Sequence, residues 1–128
     1  MYLTKEQILS VHDRLYRDME VPEWTAIGSG EKALVRIAGL TAKAASDFST
    51  KLVSMDGKGN VKELKMDNFL AELLALTMVD PETFEPLFTK DDVEALGKKS
   101  AAVMKRLGDV AMELSGLNEK AVKDAEKN

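Results

Sequence analysis

The sequence lacks cysteine, has one histidine and contains few aromatic residues. Without cysteine, a chain forms no disulfide, thiolate zinc site or iron–sulfur cluster, and it offers no thiol nucleophile. A single histidine, His12, also argues against a histidine-based metal site or a Ser–His relay within one chain. Because aromatics make up only 5% of residues while methionine occurs 7 times, we expect an aliphatic core whose gaps are filled by methionine.

An excess of basic charge and a long apolar run are lacking as well. The 18 Lys and Arg residues stand against 22 Asp and Glu residues, a net charge of −4, and the acidic excess lies in residues 65–128. Nucleic-acid binders use a basic surface to neutralise phosphates, so we expect no nucleic-acid partner. No apolar run approaches the roughly 20 residues of a membrane span, and the chain does not start like a signal peptide. We therefore expect no membrane partner and a cytoplasmic location.

Helical periodicity and helix-capping residues fill most of the remaining sequence. The 128 residues, 45% of them hydrophobic, match one globular domain in size and composition. Thr4 and Gln7 form a capping-box pattern at the start of a predicted helix that Pro22 ends. The segment 66–79 is apolar on nearly all sides, which predicts a buried central helix. The remaining predicted helices cover 41–55, 89–97, 100–116 with Gly116 as its stop, and the polar segment 118–128, a C-terminal helix or tail.

Residues 22–40 differ from this helical pattern. They carry the only tryptophan, Trp24, then a glycine-rich spacer at 28–30 and a β-prone run at 33–37. This order predicts either a short β-hairpin or a flexible loop that orders against a neighbouring chain. Together with the helices, it predicts a mainly α fold, a single compact helical domain over 1–128 with about five to six helices.

Three local patterns are typical of chemistry, but the context of each argues against it. Residues 28–33 match a loose dinucleotide-binding glycine pattern, yet they lack the preceding strand and the following helix. Residues 56–60 are similar to a calcium loop but lack its ligands at the required spacing, and we interpret them as a turn. His12 is expected to be a partly buried packing residue with one hydrogen bond. Helix capping explains part of an acidic cluster, which consists of Asp80, Asp91, Asp92 and Glu94. We predict no catalytic residue, cofactor site or metal site, and no enzyme activity.

Large apolar residues on both sides of the glycine-rich spacer are the candidate binding residues. They are either ordinary core or an interface, since tryptophan is over-represented among the residues that anchor interfaces. The hypothesis of self-association assigns this role to Trp24, Ile27, Leu34, Val35 and Ile37.

Three sequence features together carry a family resemblance. The first is VPEW at 21–24, followed after the spacer by LVRIAGLT at 34–41. The second is VD at 79–80 with PLFTKDDVEAL at 86–96, and the third is the C-terminal stretch that starts with LSGLN at 114–118. This order, which covers nearly the whole chain, resembles the tail assembly chaperones of long-tailed (lambdoid, siphophage-type) bacteriophages.

The resemblance implies a non-enzymatic assembly factor that is mainly helical and self-associates into a ring or a spiral. Such proteins bind the long tape measure protein, keep it soluble and help to recruit the tail tube protein through a longer, frameshifted form. They act in the host bacterial cytoplasm and are absent from the mature virion. The segment 118–128 is then the part expected to project toward the client or the frameshifted extension.

One turn departs from the family pattern. The family often has an acidic, glycine-containing turn between the Val-Asp and Pro-Leu-Phe elements, whereas residues 81–85 contain no glycine. We therefore expect a different turn geometry, with Phe84 packing on the protein.

The last residues allow a prediction about the gene. Glu126, Lys127 and Asn128 can be encoded as GAA AAA AAC, which contains A AAA AAC, a heptamer on which a ribosome can slip back one base. We predict a slippery site at these codons and a longer product from the same gene. Codons that interrupt the run of A, with no other slippery heptamer nearby, would contradict this prediction.

A function of another class stays open at this point. The alternative is a small helical regulatory adaptor that binds one partner helix in a groove. Assembly beyond a dimer that depends on concentration favours the chaperone, whereas a strict monomer over a wide concentration range favours the adaptor.

Overall fold

The computed structural model describes residues 1–25, 29–55, 61–64 and 68–117. Within these residues the chain forms five α-helices and a three-stranded antiparallel sheet, so the fold is mixed α/β. The prediction of a mainly α fold is therefore wrong. The reason is that two segments with helical periodicity end as strands, because they pair with a β-prone run distant in sequence.

The elements follow one another along the chain with short connections. The helices are α1 (Lys5–Ser10), α2 (Ala42–Leu52), α3 (Phe69–Thr77), α4 (Val93–Leu96) and α5 (Ala101–Leu114). The strands are β1 (Tyr16–Glu20), β2 (Leu34–Ala38), β3 (Val53–Met55), β4 (Val61–Leu64) and β5 (Met78–Val79). Single turns of 3-10 helix cover Pro22–Trp24 and Lys90–Asp92.

The predicted first helix divides into a short helix and a strand. The Thr4–Gln7 capping box is confirmed, but α1 ends at Ser10 and Val11 is extended. No residue of α1 is buried, so its periodicity has no core to pack against. The following residues instead form β1, whose register with β2 runs from Tyr16 opposite Ala38 to Glu20 opposite Leu34. Pairing across the chain thus overrides a weak local preference for helix.

The β-prone run at 33–37 forms a strand, but not within a hairpin confined to 22–40. The sheet order is β1-β2-β5, so β2 is the central strand and both of its partners lie outside that segment. A second, two-stranded ladder joins β3 to β4, where the sequence predicts the end of the helix at 41–55 and the start of a connection. The predicted turn at 56–60 lies outside the described residues.

The core lies between one face of the three-stranded sheet and helices α3 and α5. Ile37 of β2, Leu73 and Leu74 of α3, and Leu107 of α5 have no exposed surface. Burying one such side chain contributes roughly 1.5–3 kcal/mol, so these helices supply much of the stability. The prediction of a buried central helix is confirmed for α3, although its last two predicted residues, Met78 and Val79, form β5.

Helix α5 has the ends that the sequence predicts. The Ser100 hydroxyl accepts a hydrogen bond from the amide of Val103 at the first turn. Gly116 follows the last turn with φ of +71°, and the amide of Leu117 donates to the carbonyl of Met112 at 2.9 Å. This is the Schellman arrangement, in which a left-handed residue lets the chain close over the last carbonyls.

The C-terminal end of α5 lies directly on the corner where β2 ends. A Cβ atom at Gly39 would clash with the backbone carbonyl of Leu114, so only glycine fits this approach. The amide of Leu40 donates to the hydroxyl of Ser115 at 2.9 Å, and the amide of Gly39 donates to the carbonyl of Leu15 at 2.8 Å. The helix end, the strand end and the segment before β1 therefore meet at one corner.

Candidate functional site

The sheet has a second face, turned away from α5, that carries polar and exposed side chains. Strand side chains alternate between faces, so Ile37 points into the core while Leu34 and Arg36 of the same strand point to the opposite face. Opposite them on β1 lie Glu20 and Asp18, according to the strand register. We call this outward face, together with the turn at residues 80–87 that borders it, the outer surface.

Arg36 is the centre of the outer surface. Its Nε and Nη2 atoms donate to the two carboxylate oxygens of Asp18 at 2.7 and 3.0 Å, and its Nη1 donates to the carbonyl of Pro81 at 2.9 Å. The guanidinium carbon lies 4.2 Å from the ring centroid of Tyr16 and 5.5 Å from that of Phe84. The hydrogen bonds from Arg36 hold the pKa of the Asp18 carboxyl below its usual range. Arg36 is therefore engaged in fixing the strands and the turn together.

The turn that follows β5 contains no glycine, and the side chain of Asp80 holds it by hydrogen bonds. One carboxylate oxygen of Asp80 accepts hydrogen bonds from the amides of Glu82 and Thr83 at 2.8 and 3.0 Å. These bonds lower the pKa of Asp80. Phe84 adopts a left-handed backbone, with φ of +63°, which costs a non-glycine residue about 1–2 kcal/mol.

The ring of Phe84 packs on the protein, as the sequence predicts. Its centroid lies 4.5 Å from the ring of His12 and 5.3 Å from the ring of Tyr16, both in edge-on geometry. Such aromatic pairs contribute about 0.5–1.5 kcal/mol beyond burial, comparable to the backbone strain at this position. His12 is exposed rather than partly buried, because it belongs to an extended segment and not to a packed helix.

A cleft of about 200 Å³ opens on the outer surface, at the end of the sheet opposite Tyr16. Apolar side chains form most of its wall, and two of them remain largely exposed: Leu34 at 61% and Leu87 at 51%. The lining residues are Asp18, Leu34, Val35, Arg36, Val79, Pro81 and Leu87. The cleft can take an apolar side chain whose flanks lie next to charged groups.

The N-terminal segment carries a second, larger set of exposed apolar side chains. We call residues 1–11 the arm. None of its large apolar side chains is buried, and their exposures are Met1 104%, Tyr2 101%, Leu3 55%, Ile8 55%, Leu9 74% and Val11 59%. Monomeric proteins rarely expose large apolar patches without using them to bind another molecule, so six exposed apolar side chains within eleven residues make the arm a candidate binding segment.

Local hydrogen bonds maintain the helix of the arm, although the arm does not pack on the core. The amide of Thr4 donates to the side-chain oxygen of Gln7 at 2.9 Å, and the amide of Gln7 donates to the hydroxyl of Thr4 at 3.2 Å. The segment behind the arm is attached to the body, because Arg14 donates to the carbonyls of Gly39 and Phe84 at 2.9 and 3.2 Å. The arm is thus a short capped helix that projects from an anchored base.

The residues assigned to self-association from the sequence lie in different places. Leu34 is exposed on the outer surface, whereas Trp24 and Val35 are half-buried and pack against the core. Ile37 has no exposed surface, so its side chain stabilises the core and is not accessible to a second copy. Ile27 lies outside the described residues, as do Glu126, Lys127 and Asn128 and the whole predicted segment 118–128.

Sequence reasoning missed the arm and Leu87. The available signal was the run of apolar residues Met1, Tyr2 and Leu3 ahead of the Thr4 cap, which lies outside the helix that follows. For Leu87 there was no local signal, because its exposure depends on how the turn at 80–87 lies on the sheet.

No protein-family model, curated protein sequence or solved structure matches the chain. Within the described ranges, His, Asp and Glu side chains form no group of three or more that could hold a metal ion. In the same part of the chain, every helix is too short or too polar to cross a membrane.

Proposed function

We propose that the protein is a tail assembly chaperone of a long-tailed bacteriophage. In this role it does not catalyse a reaction. It self-associates in the cytoplasm of the host bacterium, binds the tape measure protein and keeps that protein soluble while tail tube subunits are recruited. It leaves before the virion is complete. The sequence resemblance at 21–24, 34–41 and 86–96 supports this proposal.

The observation that carries the proposal is the arm. A folded chain with a well-packed aliphatic core nevertheless leaves Tyr2, Leu3 and Leu9 more than half exposed. Burying large apolar side chains against another protein is the main source of favourable free energy in association. A protein whose purpose is to bind other chains temporarily needs such a surface outside its own core, so that binding does not disturb the fold.

The adaptor alternative requires a groove for a whole partner helix. The cleft on the outer surface, at about 200 Å³, accepts a side chain rather than a helix about 10 Å across. The cleft is therefore not the groove that the adaptor alternative requires.

Co-expression with the tape measure protein tests the proposal. The tape measure protein is expressed alone, with the wild-type chain, and with an unrelated acidic helical protein of similar size. We expect the wild-type chain to increase the soluble fraction severalfold and to co-purify with the tape measure protein. Equal solubility in all three cultures would refute the chaperone role.

The predicted longer form gives a second measurement on the same cultures. Intact-mass analysis of protein expressed from the native gene should reveal a product extended beyond Asn128. We expect only this longer product to co-purify with the tail tube protein. A single product, from a gene whose codons interrupt the slippery heptamer, would refute the frameshift part of the proposal.

A further inference from the structure

We propose that the arm of one copy packs on the outer surface of a neighbouring copy, with an apolar side chain of residues 1–3 seated in the cleft between Leu34 and Leu87. The inference rests on the proposed function for the reason why copies associate, but its geometry comes from the arm and the cleft. The partner is a second copy of this chain, and the contact joins two different surfaces.

The exposed apolar side chains of the arm suit a contact with another protein surface. Two of them, Met1 and Tyr2, are fully exposed, and Leu9 is 74% exposed. Leu3, Ile8 and Val11 are each more than half exposed as well. Burying part of this apolar surface would favour association.

The charges of the arm and of the outer surface are complementary. On α1, Lys5 lies on the same side as Ile8 and Leu9, three and four residues later, whereas Glu6 is displaced by about 100°. The outer surface has an acidic excess, because Arg36 is neutralised by Asp18 and Arg14 is the other base near the turn. The carboxylates in excess are Glu20, Asp80, Glu82 and Glu85. When Ile8 and Leu9 pack on the outer surface, Lys5 therefore lies next to these carboxylates, which we call the acidic rim.

The positions of the arm and the cleft favour contact between copies over contact within one chain. The arm leaves the body near His12, which packs on Phe84 at the Tyr16 end of β1. Leu34, at the mouth of the cleft, pairs with Glu20 at the other end of β1. In the folded chain Tyr2 is 101% exposed, so the arm does not cover the cleft of its own copy.

A contact between two different surfaces propagates from copy to copy. Each chain has one arm and one cleft, so the arm of each copy fills the next copy's cleft and leaves its own cleft free for another arm. Such head-to-tail contacts close into a ring or continue as a helical filament, depending on the rotation between neighbours. This geometry is suited to surrounding an elongated client.

Two complementary variants of the full-length chain test the inference. The arm variant is Tyr2→Ser with Leu3→Ser, and the cleft variant is Leu34→Ser with Leu87→Ser. All four positions are exposed, so circular dichroism and the melting temperature should remain close to wild type. Leu76→Ser, at a 36% exposed position on α3 that belongs neither to the arm nor to the lining of the cleft, is the control.

Sedimentation velocity over a range of concentrations measures the association. We expect wild type and the Leu76→Ser control to assemble beyond a dimer, and each double variant to associate at least about tenfold more weakly. An equimolar mixture of the two variants should form a one-to-one heterodimer and nothing larger, because one intact arm and one intact cleft remain. A mixture that stays monomeric, or an arm variant that assembles like wild type, would overturn the inference.

A charge pair of variants tests the acidic rim. Lys5→Glu should weaken association, and Glu6→Lys, which lies about 100° around the helix from Lys5 and adds a positive charge, should leave it unchanged or strengthen it. Added salt should reduce the difference between the two variants, since exposed charges are screened. Equal effects of the two substitutions would contradict the proposed orientation of α1.

The outcome is independent of the chaperone assay. If both double variants assemble like wild type and wild type solubilises the tape measure protein, the arm-to-cleft contact fails and the proposed function stands. If the variants behave as expected while the tape measure protein stays insoluble, the contact stands and the proposed function fails.

Discussion

The two faces of the three-stranded sheet differ in how far their largest aliphatic side chains are exposed, although the smaller Ala38 and Val79 on the outer face are buried. On the inner face, Ile37 packs with Leu74 and Leu107, and none of the three has exposed surface. On the outer surface Leu34 and Leu87 remain more than half exposed beside a network of charged side chains. The arm extends this contrast, because Leu9 is 74% exposed although it belongs to a well-formed helix.

The contrast indicates two separate uses of the same residue types. Leucines of the inner face stabilise the fold of one chain, and leucines of the arm and the outer surface are available for contacts between chains. Substitutions on the two sides should therefore affect different measurements, namely the free energy of unfolding on one side and the association constant on the other.

The largest expected effect comes from a pair of leucine truncations. Leu107→Ala removes a side chain with no exposed surface and should lower the free energy of unfolding by about 2–5 kcal/mol, because it leaves a cavity. Leu9→Ala removes the same atoms from an exposed site and should change it by less than about 0.5 kcal/mol. Urea unfolding at low protein concentration measures both. Similar losses for both variants would mean that the arm is part of the folded core.

A smaller effect tests how the outer surface is held together. Phe84 has a left-handed backbone, and its ring packs on His12 and Tyr16. Both Phe84→Ala and Phe84→Gly lose the ring, but only glycine also relieves the backbone strain. We expect Phe84→Gly to be more stable than Phe84→Ala by about 1 kcal/mol in urea unfolding. The reverse order would show that the left-handed conformation is not retained.

The smallest effect concerns an exposed ion pair that joins α5 to the turn at Pro22–Trp24. Arg106 donates to both carboxylate oxygens of Glu23 at 3.0 and 2.9 Å, and these bonds lower the pKa of Glu23 from 4.5 to about 2. A carboxyl whose pKa is lower in the folded than in the unfolded protein stabilises the fold at pH values above its unfolded pKa. This stabilisation is lost as the pH falls through the folded pKa. We expect the melting temperatures of wild type and Glu23→Gln to converge between about pH 4.5 and pH 2.

A second variant checks the cause of that pH dependence. Arg106→Met removes the donor, so the effect of Glu23→Gln on the melting temperature in this pH window should be much smaller in the Arg106→Met background than in wild type; the part that remains reflects the backbone hydrogen bond to Glu23. An undiminished effect of Glu23→Gln in the Arg106→Met background would show that Arg106 is not the main cause.

Features that depend on neighbouring residues were predictable from the sequence. The capping box of Thr4 and Gln7 is present, and so are the Ser100 cap and the Gly116 stop of α5. The burial of α3 also follows from its apolar residues on nearly all sides. Each of these depends on local hydrogen bonds or on composition, which a short stretch of sequence contains.

The sheet was not predictable in the same way. In β1 only Met19 is partly buried, so the strand shows no alternation of buried apolar and exposed polar residues. Its pairing with β2 joins residues up to 22 positions apart, such as Tyr16 and Ala38, and a local pattern does not encode that contact. The same limit applies to the candidate site, since among the predicted binding residues that the structure describes only Leu34 is strongly exposed, and Ile37 belongs to the core.

The corner at Gly39 has a consequence for the arrangement of chain ends. Leu15, on the path from the arm, bonds to Gly39, and Leu114, at the end of α5, lies against the same glycine. The C-terminal end of α5 therefore lies close to the base of the arm. If arms join successive copies, the end of α5 recurs beside the base of each arm, at the same position in every repeat of the assembly.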